Sequence, residues 1–391
     1  MKTVNDIYKA LNERHIPFSG SHDVHTPQSI VTRLINNITI TNQEFLVLYN
    51  IEFAVSLVYT YNVDPQKITF FADHPNKIKF ANKLNIKYVT AMEDIQMKSR
   101  PVLLTNPPYT DGTQGAAEIY TSIISNCIEK FNPIAICGVT PENLINGGQK
   151  KEELRNLLFK KYGLKTVKFL DQNRDWNRDI AISTIAWVVE EGYSGLTKVT
   201  GRQTGNEYDV NVNGLGLTEL INGESQEVHD WLISIQTTHK LKLKSRKKTG
   251  KTGQQAKISK GSPFSLIVES GSEYNSHNTE WRVAFGYMRC NTCAVVPPGI
   301  SIPSKYRYIN FGSNQQAAEK FYSYMLSEPI RLILKMTYTS RTLDNPQLSY
   351  VPMIDLNKLT QVDDQTLYAL WNTTPATQLM INSMVGDEVP F

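Results

Sequence analysis

Short apolar runs, spaced by segments of helix length, fill the first two-thirds of the chain. Residues 45–49 (Phe-Leu-Val-Leu-Tyr), 68–72 (Ile-Thr-Phe-Phe-Ala), 86–90 and 102–105 (Val-Leu-Leu-Thr) read as strands. Their apolar positions run on rather than alternate, the pattern of a strand covered on both faces. Residues 52–61, 75–84, 118–131 and 150–161 have helical length and periodicity, and 133–139, 166–170 and 182–189 read as further strands. Strands alternating with helices predict βαβ units and a mainly parallel, doubly wound α/β sheet.

At 391 residues the chain suits two domains better than one. The pattern changes near residue 240. Lys240-Leu241-Lys242-Leu243-Lys244-Ser245-Arg246-Lys247-Lys248 continues through Lys251, Lys257 and Lys260 with glycines between. This stretch is either a solvated inter-domain loop or a strip that meets phosphates, each cation releasing a counterion. The expected division is a domain over 1–235, a basic linker over 236–262 and a smaller domain over 263–391. The last part interleaves Trp281, Arg282, Tyr287, Arg289, Tyr306, Arg307 and Tyr308, side-chain types that stack on bases and grip phosphates or guanine edges.

A net charge of +4 neither demands nor excludes nucleic acid, so distribution matters more than the sum. Four cysteines are too few for a disulfide framework at this length. Cys290 and Cys293 make one C-x-x-C, half a zinc site with no second half nearby, so no metal is expected. The first residues lead into no apolar run of the signal-peptide kind, and no uncharged run approaches the ~20 residues of a membrane helix. A cytoplasmic protein without membrane contact is expected.

The candidate chemistry lies at the end of the strand over 102–105, where Asn106-Pro107-Pro108-Tyr109 follows directly. Strand C-termini are where open α/β sheets bind ligands. Two prolines stiffen the turn and remove two N–H donors. An exocyclic amino group carries two hydrogens. The Asn106 side-chain oxygen and the Pro107 carbonyl can each accept one, drawing the nitrogen toward a more nucleophilic geometry. Tyr109 offers a flat face for a base that has left its stack.

This tetrapeptide resembles the catalytic motif of the N6-adenine DNA methyltransferases. The order of the surrounding pieces resembles their γ group, which includes the methylases of type II restriction-modification systems. His25-Thr26-Pro27-Gln28-Ser29-Ile30-Val31 is similar to that group's N-terminal segment, which touches the methionine end of S-adenosylmethionine. Asp73 stands where the family's acid holds the cofactor ribose, and Asp94 where a residue accepts from its adenine amino group. Residues 139–144 with Leu154-Arg155, and 350–355 with 363–368, resemble later segments of the same group. The resemblance spans nearly the whole chain.

It implies a Rossmann-like methyltransferase sheet with a smaller C-terminal DNA target-recognition domain. It also implies methyl transfer from S-adenosylmethionine to the N6 amino group of a flipped adenine in double-stranded DNA. Asn106, Pro107, Pro108 and Tyr109 would be catalytic, and Thr26, Pro27, Tyr49, Asn50, Asp73 and Asp94 would line the cofactor pocket. Trp176, the aromatic in the turn 171–178, would stack on the base or else cap the core. Lys244, Arg246, Lys247, Lys248 and Arg289 would meet DNA. A cognate restriction endonuclease is an expected partner, because the chain has no room or acidic cluster for a nuclease of its own.

One departure stands out. The family's glycine-rich turn after its first strand corresponds to Leu48-Tyr49-Asn50-Ile51-Glu52-Phe53-Ala54-Val55, which contains no glycine. Asn50, which tolerates a left-handed backbone, is the residue expected to make the tight turn. Glu52 is expected to reach the cofactor ammonium or to face solvent. Other activities stay open on the residues alone: a protein-glutamine or RNA-guanine methyltransferase sharing the tetrapeptide, or a catalytically inactive DNA-binding protein on the same fold. A cytosine-N4 enzyme would carry Ser at the position of Asn106.

Overall fold

Strands apolar at every position can be satisfied only between two layers of helices. The computed structural model shows that arrangement. It describes residues 25–109, 119–146, 149–176, 182–212, 224–239, 243–245, 256–258, 267–270, 279–286, 293–300, 306–337, 351–352 and 354–385. The chain divides into two compact units, Met1–Leu220 and Ile221–Phe391.

In the first unit the elements run α1 (Gln28–Ile35), β1 (Phe45–Leu48), α2 (Ile51–Tyr59), β2 (Ile68–Phe71), α3 (Pro75–Leu84), β3 (Lys87–Val89), β4 (Val102–Thr105), α4 (Tyr120–Phe131) and β5 (Ala135–Pro141). They continue with α5 (Asn143–Asn146), α6 (Gln149–Lys161), β6 (Tyr162–Leu170), β7 (Thr184–Glu191), β8 (Thr197–Thr200) and β9 (Glu207–Val210). One sheet holds the nine strands in the order β3-β2-β1-β4-β5-β7-β6-β8-β9. From β3 through β5 every pairing is parallel, and β7 lies antiparallel between β5 and β6. The doubly wound α/β fold expected from the sequence is present.

Successive side chains of a strand point to opposite faces. Phe45 and Val47 of β1 join one core with α1, α2 and α3, while Leu46 and Leu48 join the other with α4 and α6. Each such fully buried side chain contributes about 1.5–3 kcal/mol. The antiparallel β7 fits beside β5 because Gly138 leaves space for the Trp187 indole: a Cβ there would lie 2.3 Å from the ring. Helix α3 starts at Pro75, with the His74 ring accepting from Asn76 N, and ends on Asn85 in the left-handed conformation, a start and stop of the usual chemistry.

The second unit contains α7 (Gln226–His239), β10 (Leu243–Ser245), β11 (Ala256–Ile258), β12 (Ile267–Ser270), β13 (Arg282–Gly286), β14 (Cys293–Val296), β15 (Tyr306–Asn310), α8 (Gln315–Leu326), α9 (Glu328–Thr337), α10 (Asp364–Leu370) and α11 (Pro375–Val385). Its six strands form an antiparallel sheet in the order β10-β11-β12-β15-β13-β14.

Two expectations about organisation change. Residues 226–235, expected in the first domain, belong to the second unit: Val228, Trp231, Leu232 and Ile235 of α7 are buried in one core with Phe321, Ile333, Tyr368 and Ile381. The stretch expected to be a linker contains β10 and β11, paired with each other. Among the described residues no helix is long and apolar enough to cross a membrane.

Candidate functional site

The sheet has one topological switch point. From β1 the chain moves outward to β2 and β3, then returns to the other side of β1 as β4. Above the C-terminal ends of β1 and β4 a crevice opens in folds of this kind, and ligands bind there. Register aligns Leu48 with Thr105 and with Phe71, and Thr105 with Gly138. The residues that step off this edge are therefore Tyr49 after β1, Asp73 just beyond β2, and Asn106 after β4.

Asn106 is buried, with 6% of its surface exposed. Its Nδ2 donates to Thr26 Oγ1 at 3.0 Å, and its Oδ1 accepts from the Tyr109 hydroxyl at 3.0 Å. The first bond aims the amide: with Nδ2 held by Thr26, the oxygen faces the side of Tyr109. The second fills the acceptor position with a phenol. Burial pushes that phenol above the ordinary tyrosine value, so it stays a donor at neutral pH. The Tyr109 ring stands edge-on to Tyr120, 6.3 Å between centroids. Pro107 is buried, and Pro108 and Tyr109 are half-buried.

Thr26 is itself buried, and Pro27 precedes the first turn of α1. His25 Nδ1 lies 2.5 Å from Glu52 Oε1, and Glu52 is 2% exposed in the first turn of α2. Glu52 thus does not face solvent. It fastens the N-terminal segment to the turn after β1, at a helix start where negative charge is favoured. Glu52, His25, Thr26, Asn106 and Tyr109 form one polar file along the edge.

On the other side of the switch point the left-handed residue is Tyr49, with φ 67°, while Asn50 is extended at φ −102° and precedes the first turn of α2. The expected tight position falls one residue early. A left-handed backbone at a residue with a Cβ costs about 1–2 kcal/mol. The Tyr49 ring is edge-on to Phe71 at 5.1 Å. With Met92, Glu93, Ile123, Asn126, Cys127, Lys130 and Phe131 it lines a cavity of about 340 Å³. Burial, and then the Asp73 carboxylate nearby, push the Tyr49 phenol upward. Burial raises the Cys127 thiol to about 12, against the pull of Lys130. Lys130 Nζ donates to the carbonyls of Met92 and Glu93 at 3.0 and 3.2 Å, fixing that wall.

Asp73 is exposed, and its Oδ1 accepts from the buried Lys77 at 2.6 Å. Asp94 is exposed in the single turn Met92–Asp94. The acid that lines the cavity is Glu93, its neighbour. In a one-turn 3₁₀ segment consecutive residues point some 120° apart, which sequence position alone cannot resolve.

Trp176 is buried in the core beside α1, and its Nε1 donates to Thr184 Oγ1 at 2.9 Å. It takes the core-capping place, not a base-stacking one. The turn before it is held by Lys168 on Asp175 at 2.5 Å and by Arg174 on the carbonyls of Arg202 and Gln203. Arg202 in turn bonds the buried Glu142 carboxylate. Sequence reading missed this support, since Glu142 and Arg202 are far apart in the chain and carry no local signal.

Of the residues expected to meet DNA, Lys244 lies in β10; Arg246, Lys247, Lys248 and Arg289 lie outside the described residues. Two members of the interleaved aromatic and arginine group are internal. Arg282 is fully buried, bonds the Ile300 carbonyl and sits 5.6 Å from the centroid of the Tyr308 ring, itself buried. Cys293 packs against the core with its thiol raised to about 12 by burial; Cys290 lies outside the described residues.

No family model and no curated protein sequence matches the chain. Solved structures match at low identity. One is the methyltransferase subunit of a type I restriction-modification system from Streptococcus thermophilus, at 14% identity and TM-score 0.37 over 53% of this chain and 54% of that one. Another is the type IIG restriction endonuclease BpuSI, at 10% identity and TM-score 0.46 over 95% of this chain and 63% of that one. A third is the 23S rRNA methyltransferase ErmE, at 13% identity and TM-score 0.33 over 43% and 69%. The chain spans about half the length of the Streptococcus subunit.

Proposed function

We propose that this chain transfers a methyl group from S-adenosylmethionine to the N6 amino group of a flipped-out adenine in a specific DNA sequence. The observation that carries the reading is the buried Asn106 amide at the C-terminal end of β4, aimed by Thr26 and followed by two prolines and an aromatic ring. A site that methylates a planar amino nitrogen needs two acceptors and one flat face, and no strong base. These residues have that chemistry.

Asn106 Oδ1 would accept one amino hydrogen and the Pro107 carbonyl the other. Tyr109 would give up its bond to Asn106 and turn its ring to the base, so the incoming amino group replaces a donor of the same kind. The broken phenol bond and the new amino bond nearly offset each other. Tyr109 stacking would recover part of the few kcal/mol that extruding a base costs.

The residues near Tyr49 fit the methyl donor. The cavity lined by Tyr49, Met92, Ile123 and Phe131 suits a purine, Glu93 stands at its wall, and Asp73 beside Tyr49 can accept ribose hydroxyls. Thr26 and Pro27 would meet the methionine end. S-adenosylmethionine would supply an electrophilic methyl on its sulfonium. As the N–CH3 bond formed the S–CH3 bond would break, leaving the neutral thioether S-adenosylhomocysteine, and the nitrogen would then shed a proton to water. The second unit would read the DNA sequence, with Lys244, Arg246, Lys247, Lys248 and Arg289 meeting the duplex. A restriction endonuclease recognising the same site would be the partner, and the chain would protect DNA, not cut it.

Two observations favour a second reading, a DNA-binding protein on this fold that holds no donor. The turn after β1 lacks glycine, and Lys77 already holds one oxygen of Asp73. Incubation with tritiated donor and DNA, RNA or protein separates these readings. The proposal expects label in DNA alone, abolished in Asn106→Ala. Label in RNA or protein would replace the substrate, and label in none would favour the second reading.

A further inference from the structure

Among the described residues, six besides Tyr49 have a Cβ and a positive φ: Asn42, Asn62, Asn85, Asn132, Asn372 and Glu224. Five are asparagine, the residue that adopts this backbone most readily after glycine. Tyr49 is the aromatic exception, and it stands at the switch point of the sheet. A strained residue that the surroundings over-determine is a pointer to function. The backbone there would be relaxed by Gly or Asn, so the side chain needs a reason of its own.

The surroundings of the ring supply it. Tyr49 is half-buried, edge-on to Phe71, and forms part of the wall of the 340 Å³ cavity. The rest of that wall is mainly apolar, from Met92, Ile123, Cys127 and Phe131, with Glu93 as its acid and Asn126 and Lys130 as its other polar members, the Lys130 ammonium held by the Met92 and Glu93 carbonyls. Its neighbour on the sheet edge is the Asp73 carboxylate. An apolar slot with one acid on the wall and a second carboxylate outside suits a flat neutral heterocycle carrying a hydroxylated sugar.

We infer that Tyr49 keeps its left-handed backbone in order to place an aromatic wall against the purine of a nucleoside ligand, and that affinity for the nucleoside rests on this ring in place of a glycine turn. The inference deepens the donor site of the proposed methyltransferase and rests on that reading. Stacking of a base on an aromatic ring is worth enough to read as a change of about tenfold or more.

The test titrates S-adenosylhomocysteine and adenosine into the full chain by calorimetry. The proteins are the unchanged chain, Tyr49→Phe, Tyr49→Leu and Tyr49→Asn, each checked for fold by circular dichroism. Tyr49→Phe is expected to bind both ligands within about threefold of the unchanged chain. Tyr49→Leu keeps apolar bulk without the ring, and Tyr49→Asn relaxes the backbone without the ring. Both are expected to bind at least about tenfold more weakly. Equal affinity in Tyr49→Leu overturns the aromatic wall and leaves the methyltransferase reading intact. No binding of either ligand to the unchanged chain, with or without duplex DNA, overturns both. Tyr49→Leu decides the matter if Tyr49→Asn fails to fold.

Discussion

At the scale of single residues the site turns on the direction of one amide. Asn106 has an oxygen and a nitrogen of nearly equal size, and only the oxygen can accept from an amino group. Thr26 Oγ1, 3.0 Å from Nδ2, decides which of the two faces the cleft. Thr26→Val should leave a buried donor unsatisfied, costing about 1–3 kcal/mol of stability. It should also lower kcat at least about tenfold, a barrier change of about 1.4 kcal/mol. Thr26→Ser should restore both, and steady-state kinetics with denaturant melts would check it. The tetrapeptide was legible in the sequence because its residues are contiguous. The bond to Thr26 joins positions far apart and was not read in advance: the resemblance of the 25–31 segment implied only that Thr26 touches the methionine end of the methyl donor. One residue was misjudged by one place. Asn50 was expected to take the left-handed turn on propensity. Yet pairing of β1 with both β2 and β4 runs through Leu48, so the chain must turn at the next residue, Tyr49. Of the adjacent acids Glu93 and Asp94, Glu93 lines the cavity beside Tyr49.

Among the elements, the strands of the parallel half were readable because burial on both faces leaves an unbroken apolar run. Strand β6 was read only from residue 166 onward, and its first residues, 162–165, were missed; Lys165 and Lys168 are tolerated within it because each pairs with an acid, Glu190 at 2.8 Å and Asp175 at 2.5 Å. Strands β8 and β9 were missed, each four residues long. Strand order could not be read, because it depends on which edges meet and not on local pattern. Gly138 shows how tightly that order is set. Gly138→Ala would place a methyl group 2.3 Å from the Trp187 indole, a ring itself 1% exposed. Overpacking of this kind typically costs about 1–3 kcal/mol or more. Urea unfolding should show a midpoint lowered accordingly; an unchanged midpoint would mean that β7 is free to shift away from β5.

For the whole molecule, two features carry predictions. The first is a set of buried phenols. Burial raises Tyr49, Tyr109, Tyr324 and Tyr368 above the ordinary tyrosine value, and raises Tyr162 to about 12. In the unfolded chain each titrates near about 10. Folded values above unfolded ones mean the folded state holds its protons longer. Their contribution is complete below about pH 10 and is lost as pH rises through the folded values. Phenolate absorbance should therefore rise in two stages, exposed tyrosines first and the buried ones together with unfolding. The second is the basic stretch after α7, whose character was plain from the sequence although its two short strands were not. Lys247→Ala with Lys248→Ala should weaken binding to duplex DNA and flatten its salt dependence, by about one unit of slope for each phosphate no longer neutralised. An unchanged slope in a fluorescence anisotropy titration would remove this stretch from the DNA surface.

The central claim is that Asn106 presents an adenine amino group in DNA for methylation. Its most direct test is sequencing of modified bases in genomic DNA from cells that express the chain, beside cells that express Asn106→Ala. The account predicts N6-methyladenine at one short recurring sequence with the unchanged chain and none with the variant. The same modification in both, or no modified adenine with the unchanged chain, would contradict it.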